Sequence, residues 1–178
     1  KAGATVVLSP GGEIFTNLER GVIDATEWVG PLHDNRMGFY QAAKYYYYPG
    51  WHEPGTYLEY FFNKKAYESL PKDLQVILDT ACMANELWCL AQFDARNGAA
   101  LVELIKKHKV QLLKYPDSVM KALRKLSKEV VAEQAAKDAM SKKVSAAFEA
   151  FQNQVGPWYT VSEKAYYDDI FGDYSLKG

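Results

Sequence analysis

Two short clusters hold the residues whose types and spacing could do chemistry. Gly21-Val-Ile-Asp-Ala-Thr-Glu-Trp-Val-Gly-Pro31 places the carboxylate of Glu27 beside the indole of Trp28, just before a Gly-Pro turn. Pro49-Gly-Trp-His-Glu-Pro-Gly55, about 25 residues on, repeats the recipe with Trp51, His52 and Glu53. The first cluster begins like a buried strand, Val22 to Trp28. Ligands of open α/β sheets bind at the carboxyl ends of strands, where backbone carbonyls and loop side chains point into a crevice. The two clusters therefore read as one wall of a pocket for a small anion.

The elements around them follow from local pattern. Ala4 to Leu8 is β-branched and apolar, with Gly3 before it and Ser9-Pro-Gly-Gly12 after it, which predicts a strand. Glu13 to Arg20 predicts a helix with Ile14, Phe15 and Leu18 inward, stopped by Gly21. The turn at residues 9–12 is either a plain connection or a set of N–H groups open to an anion. Val22 to Trp28 is expected to run parallel to the first strand. Gly30 to Ala43 reads as a short helix and loop, and Tyr45 to Tyr48 as a strand whose phenols alternate between faces. Which pair of tyrosines faces the crevice is open; Tyr47 stands among the ligand-facing candidates. Thr56 to Phe62 predicts a further strand and Lys64 to Leu70 a short helix.

From Leu70 to about Lys107 one long helix is expected, with Leu74, Ile77, Ala81, Ala84, Trp88, Ala91, Ala95, Val102 and Ile105 inward. Val110 to Leu113 reads as a strand. Helices follow over Asp117–Ala136 and about Asp138–Val155, the latter with Val144, Phe148, Phe151 and Val155 inward. Gly156-Pro157 should break the chain before a last aromatic helix, Trp158 to Phe171. The fold class is α/β, a small mixed sheet first and then a run of helices.

Bulk properties exclude more than they assign. A net charge of −1 offers no general attraction for nucleic acid or an anionic membrane. No apolar run reaches the roughly 18 residues that a spanning helix needs. The aromatic fraction is high, 14% with 13 Tyr and 4 Trp, and suits surfaces that are part apolar and part hydrogen-bonding. Cys82 and Cys89 fall about two turns, or roughly 10 Å, apart on one helix, too far for a disulfide. His33 and His108 read as surface residues, and His52 as a ligand or as a partner of a nearby carbonyl.

The block Gly11-Gly-Glu-Ile-Phe-Thr-Asn-Leu-Glu-Arg-Gly-Val-Ile-Asp-Ala-Thr-Glu-Trp28 resembles the extracytoplasmic solute-binding proteins of TRAP transporters, the DctP family. The likeness is nearest to the branch for 2-oxo acids and related carboxylates, and continues through Tyr48-Pro-Gly-Trp-His-Glu53 and Leu70-Pro-Lys-Asp-Leu-Gln75. It implies a periplasmic-binding-protein-like fold of two lobes, of which this chain is the second: an α/β segment over residues 1–113 with the long spanning helix, then a helical segment over 114–178. It implies a solute carboxylate held through a sodium or calcium ion, with Glu27 giving a side-chain oxygen, Trp28 its main-chain carbonyl and Glu53 a further ligand. Trp28 and Trp51 would then wall the solute's carbon skeleton. An exported, periplasmic protein serving a membrane permease is implied as well, as is a homodimer through the C-terminal helices. The arginine that pairs with the solute carboxylate in the family matches neither Arg20 nor Arg36 and belongs, with the first lobe, upstream of Lys1.

Other classes compete. Glu27 and Glu53 could form an acid/base pair as in glycosidases, but no Gly-x-Ser-x-Gly, His-Glu-x-x-His, P-loop or Cys-x-x-Cys pattern accompanies them. A helical dimerisation module built on the aromatic C-terminal helices is the remaining alternative.

Overall fold

The computed structural model describes residues 1–52 and 58–171. The chain divides into two compact units: Thr5–Tyr115, and the helices from Pro116 onward joined by Lys1–Ala4.

In the first unit, α1 (Gly11–Glu19) buries Ile14 and Leu18, one turn apart on its inner face, against Phe39. Phe15, Ile23, Trp28, Met37 and Ala42 close this small core. Gly21 follows α1 at φ 67°, the left-handed conformation that ends a helix and that glycine adopts without strain. A six-residue helix, α2 (Pro31–Arg36), begins with proline at its first position, where no N–H is needed. A single 3₁₀ turn, Phe39–Gln41, leads to β1 (Tyr45–Tyr48).

After α3 (Lys64–Glu68), capped by the Asn63 side chain on the Ala66 N–H, comes the 35-residue α4 (Lys72–Lys106). At 1.5 Å per residue α4 is about 50 Å long. It delivers the chain to β2 (Gln111–Lys114), which pairs in parallel with β1 from Tyr45↔Gln111 to Tyr48↔Lys114. Parallel neighbours require such a crossover. Ala100 and Leu104 of α4 and Val110 after it are buried. In the second unit, α5 (Asp117–Ala135) packs on α6 (Ala139–Tyr159), which is capped by Asp138 on the Ser141 N–H.

The elements sit where the pattern puts them, with definite exceptions. Among the described residues the sheet has two parallel strands and is not mixed. Among the described residues, 4–8 and 22–28 pair with no strand, and Val6 at 89% and Leu8 at 98% exposure show a β-type sequence with no partner strand there. Residues 58–62 are likewise unpaired, while the start of that expected strand, Thr56 and Tyr57, lies outside the described residues.

The inner face of α4 differs too. Leu74, Ile77 and Trp88 are exposed, whereas the covered stripe runs Gln75, Leu78, Cys82, Glu86, Cys89, Phe93, Asn97, Ala100 and Leu104. Both cysteines are free and lie on this stripe. In α6, Val144, Phe148 and Phe151 point outward. Gly156-Pro157 does not stop α6. The chain continues instead as wide π turns over Thr160–Lys164 and Tyr167–Phe171, where Thr160 and Ser162 donate side-chain bonds to the Gly156 and Trp158 carbonyls. Proline within the helix costs the one backbone bond that its missing N–H would have made to the carbonyl four residues before it.

Candidate functional site

The site is built on the turn that joins the extended segment 22–28 to α2. Glu27 stands on it with its side chain 58% exposed. Trp28 anchors it: the indole packs on the Ile14–Leu18–Phe39 core and brings the Cη2 edge of its ring against Gly11. A Cβ added to Gly11 would come within 2.7 Å of the indole, so the glycine is there for close approach, while Pro10 and Gly12 of the same turn stay exposed. The Trp28 ring is thus half-buried against the core with its Nε1–H unpartnered among the described residues, and its main-chain carbonyl is a second group it can offer a ligand.

The far side of the turn is held by α2, α4 and β1. The Leu32 N–H, left without an intrahelical partner at the start of α2, donates to Asn97 Oδ1 of α4 at 3.0 Å. His33 meets Phe93 of α4 edge-on, with ring centres 5.1 Å apart, and Asn35 donates to Glu103 at 3.0 Å. Asp34, 8% exposed, accepts from Tyr46 Oη of β1 at 2.5 Å, while its other oxygen, Oδ1, has no hydrogen-bond partner.

Burial pushes the Asp34 carboxyl up to about 6. The Tyr46 bond and the nearby backbone N–H groups of Gly30 and Val29 pull the other way, and the charge of Glu27 adds to the rise. Burial raises the Tyr46 phenol too, helped by Asp34. Burial lowers the His33 imidazole, with the Arg36 charge contributing.

The structure brings the two sequence clusters together through His52, whose Nε2 lies 3.6 Å from Glu27 Oε2 and whose ring tilts against Trp51 at 4.8 Å. Trp51 is 44% exposed. Tyr47 is on the exposed side of β1, stacked on Tyr115 at 5.0 Å. Glu53 lies outside the described residues. His33 is not a surface residue, since its Nδ1 is buried, and His108 stacks on Tyr40 at 3.6 Å beside Glu103. The helix-to-helix and helix-to-strand contacts that α2 makes supply the environment that spacing alone could not show. Asp34, Tyr46 and Asn97 are the residues that sequence reasoning passed over. The one signal for them was the period-2 alternation of the four tyrosines, which requires an inner partner for Tyr46.

The donor set suits a hard cation. Glu27 and the Trp28 carbonyl are oxygen donors, and oxygen ligands select calcium or sodium over softer metals. Among the described residues no lysine or arginine pairs with Glu27 or Asp34, and the basic side chain beside Glu27 is the His52 imidazole, 3.6 Å away. Among the same residues no three His, Cys, Asp or Glu side chains converge on a point. From the described residues, a cation here would draw on main-chain oxygen as well as side chains.

The family model described as bacterial extracellular solute-binding protein, family 7 (DctP) matches residues 1–138. A monocarboxylate 2-oxoacid-binding periplasmic protein of Nostoc sp. (strain PCC 7120) is 43% identical over 166 residues, which are 93% of this chain and 45% of that protein. A TRAP periplasmic solute-binding protein of Colwellia psychrerythraea, solved with calcium and pyruvate bound, superposes with a TM-score of 0.86 at 44% identity, over 93% of this chain and 51% of that one. A TRAP transporter solute-binding protein of Bordetella bronchiseptica RB50, a mixed-occupancy dimer with copurified calcium and picolinate, gives 0.83 at 35% identity, over 92% and 48%. The chain thus spans about half the length of these relatives, which are binding proteins of transporters. By its match over residues 1–138 and by these two superpositions, the chain belongs to the DctP family of TRAP solute-binding proteins.

Proposed function

We propose that this chain supplies the second-lobe half of a receptor for a small monocarboxylate of the 2-oxo acid type, pyruvate first, held through a calcium ion, with sodium as the alternative. The observation that carries the reading is the corner of Glu27 and Asp34, two carboxylates that no lysine or arginine pairs with among the described residues. An anion placed there is repelled unless a cation stands between. Glu27 gives a side-chain oxygen and Trp28 its main-chain carbonyl, with Glu53 as a further ligand. When bound, the cation supplies the fixed positive charge that the solute carboxylate needs. The exposed rings of Trp51 and Tyr47 offer flat apolar faces to the carbon skeleton. The likeness to the calcium- and pyruvate-bound Colwellia protein supports the same ligand class.

The rest of the reading concerns the whole protein. Residues 1–113 form the second-lobe segment and residues 114–178 the helical segment. The protein binds and releases its solute without converting it, in the periplasm, and closes on it to present a closed form to membrane permease subunits. The outward Phe148 and Phe151 of α6 favour a homodimer through the C-terminal helices.

Isothermal titration with pyruvate, with and without calcium or sodium after chelation, tests the ligand reading. Cation-dependent heat that disappears in Glu27→Gln is the expected result. A folded, intact protein silent toward pyruvate, lactate and picolinate in every condition would overturn it.

A further inference from the structure

We infer that Asp34 is a positioning residue of the cation site: by attracting the Val29 and Gly30 amides it turns the Trp28 carbonyl toward the cation, and Tyr46 holds Asp34 in place. This rests on the reading of Glu27 and the Trp28 carbonyl as cation ligands. Asp34 is buried at 8% exposure on α2, and a buried carboxyl is costly unless its oxygens are engaged. Oδ2 is engaged by the Tyr46 phenol, the one tyrosine of β1 that is turned inward. Oδ1 makes no hydrogen bond, but the carboxyl lies close to the N–H groups of Val29 and Gly30.

The Val29 N–H and the Trp28 carbonyl belong to one planar peptide group, and in a trans peptide they point in opposite directions. A carboxylate that draws the N–H to the inside of the turn therefore turns the carbonyl to the opposite side, away from Asp34. Asn97 pins the next residue but one, through Leu32, so the turn has little freedom to undo this. Groups behind a metal's direct ligands orient them in this way, and their loss commonly weakens metal binding about 10- to 100-fold.

The test uses calcium and, as a luminescent substitute, terbium, on the intact protein and on Asp34→Asn, Tyr46→Phe and Glu27→Gln. Circular dichroism melting confirms that each variant is folded at the assay temperature. Asp34→Asn keeps the side-chain shape and can still accept from Tyr46, but it then presents an NH2 group to the backbone amides. The expected result is calcium affinity lowered roughly 10-fold or more in Asp34→Asn, with Tyr46→Phe weakened in the same direction. Terbium lifetimes in H2O and D2O should show an additional water on the ion in Asp34→Asn, because a carbonyl has been lost from it. A purely structural role would lower the melting temperature without adding that water.

Unchanged affinity and hydration in folded Asp34→Asn, with binding lost in Glu27→Gln, overturns the positioning role and leaves the cation site standing. Glu27→Gln that binds calcium as tightly as the parent overturns the cation site, and the role of Asp34 with it.

Discussion

At the scale of single residues, the turn at 27–34 combines exposed and buried acids with different consequences. Glu27 is open to solvent beside the His52 imidazole, whereas Asp34 is enclosed by α2, α4 and β1. The Asp34 carboxyl titrates near 6 in the folded chain against 3.8 as an ordinary aspartate, so the folded state holds the proton more tightly. Its contribution to stability is therefore full below about pH 4 and is lost as pH rises through about 6, by roughly 3 kcal/mol in total. Denaturant unfolding from pH 4 to 7 should show this decline in the parent, and Asp34→Asn should flatten it. Gly11 is the second residue with a definite expectation. Gly11→Ala drives a methyl into the Trp28 indole at 2.7 Å and should cost about 1–3 kcal/mol, read by the same unfolding.

At the scale of elements, α4 is the beam on which the site is mounted. Its covered stripe mixes apolar Phe93, Ala100 and Leu104 with Gln75 and Asn97, and each of these polar groups closes a backbone position elsewhere: Gln75 on the Leu70 carbonyl, Asn97 on the Leu32 N–H. This is why hydrophobic periodicity chose the wrong face. α4 carries apolar residues all round, and the side that is covered is decided by α2, the β1–β2 pair and the polar caps they require. Leu104, 2% exposed, is the best-buried residue of the helix, and Leu104→Ala should cost about 2–5 kcal/mol by calorimetry or denaturant unfolding. Asn97→Ala strands one backbone N–H and should cost about 1–3 kcal/mol while loosening the turn that carries Glu27.

At the scale of the whole molecule, a ligand that binds only the folded state raises stability by mass action. Calcium at about 100 times its dissociation constant should stabilise the protein by about 2.7 kcal/mol, and a chelator should reverse the gain. A thermal-shift series with calcium, sodium and chelator in turn checks this, and equal shifts from both cations would remove calcium's priority. Sheet pairing also belongs to this scale. Residues 4–8 and 22–28 are β-branched and apolar but unpaired, because a strand is completed by a neighbour and these segments have none among the described residues.

The amino-acid sequence by itself determined most of the helices, the glycine stop after α1, the strand character of residues 45–48 and 110–113, and the family, because these depend on local backbone preference and on a long contiguous motif; it paired the wrong segments, 4–8 with 22–28. It also placed Glu27 and Trp28 at the end of one extended segment. Only the tertiary structure decided that the Trp28 ring packs against the core, that His52 joins Glu27 to Trp51, and that Asp34, Tyr46 and Asn97 hold the turn. Asn97 lies 65 residues beyond Leu32 and Tyr46 lies 12 beyond Asp34. The physical reason is that burial and orphaned hydrogen-bonding groups are properties of an environment assembled from distant segments, and no local pattern encodes them.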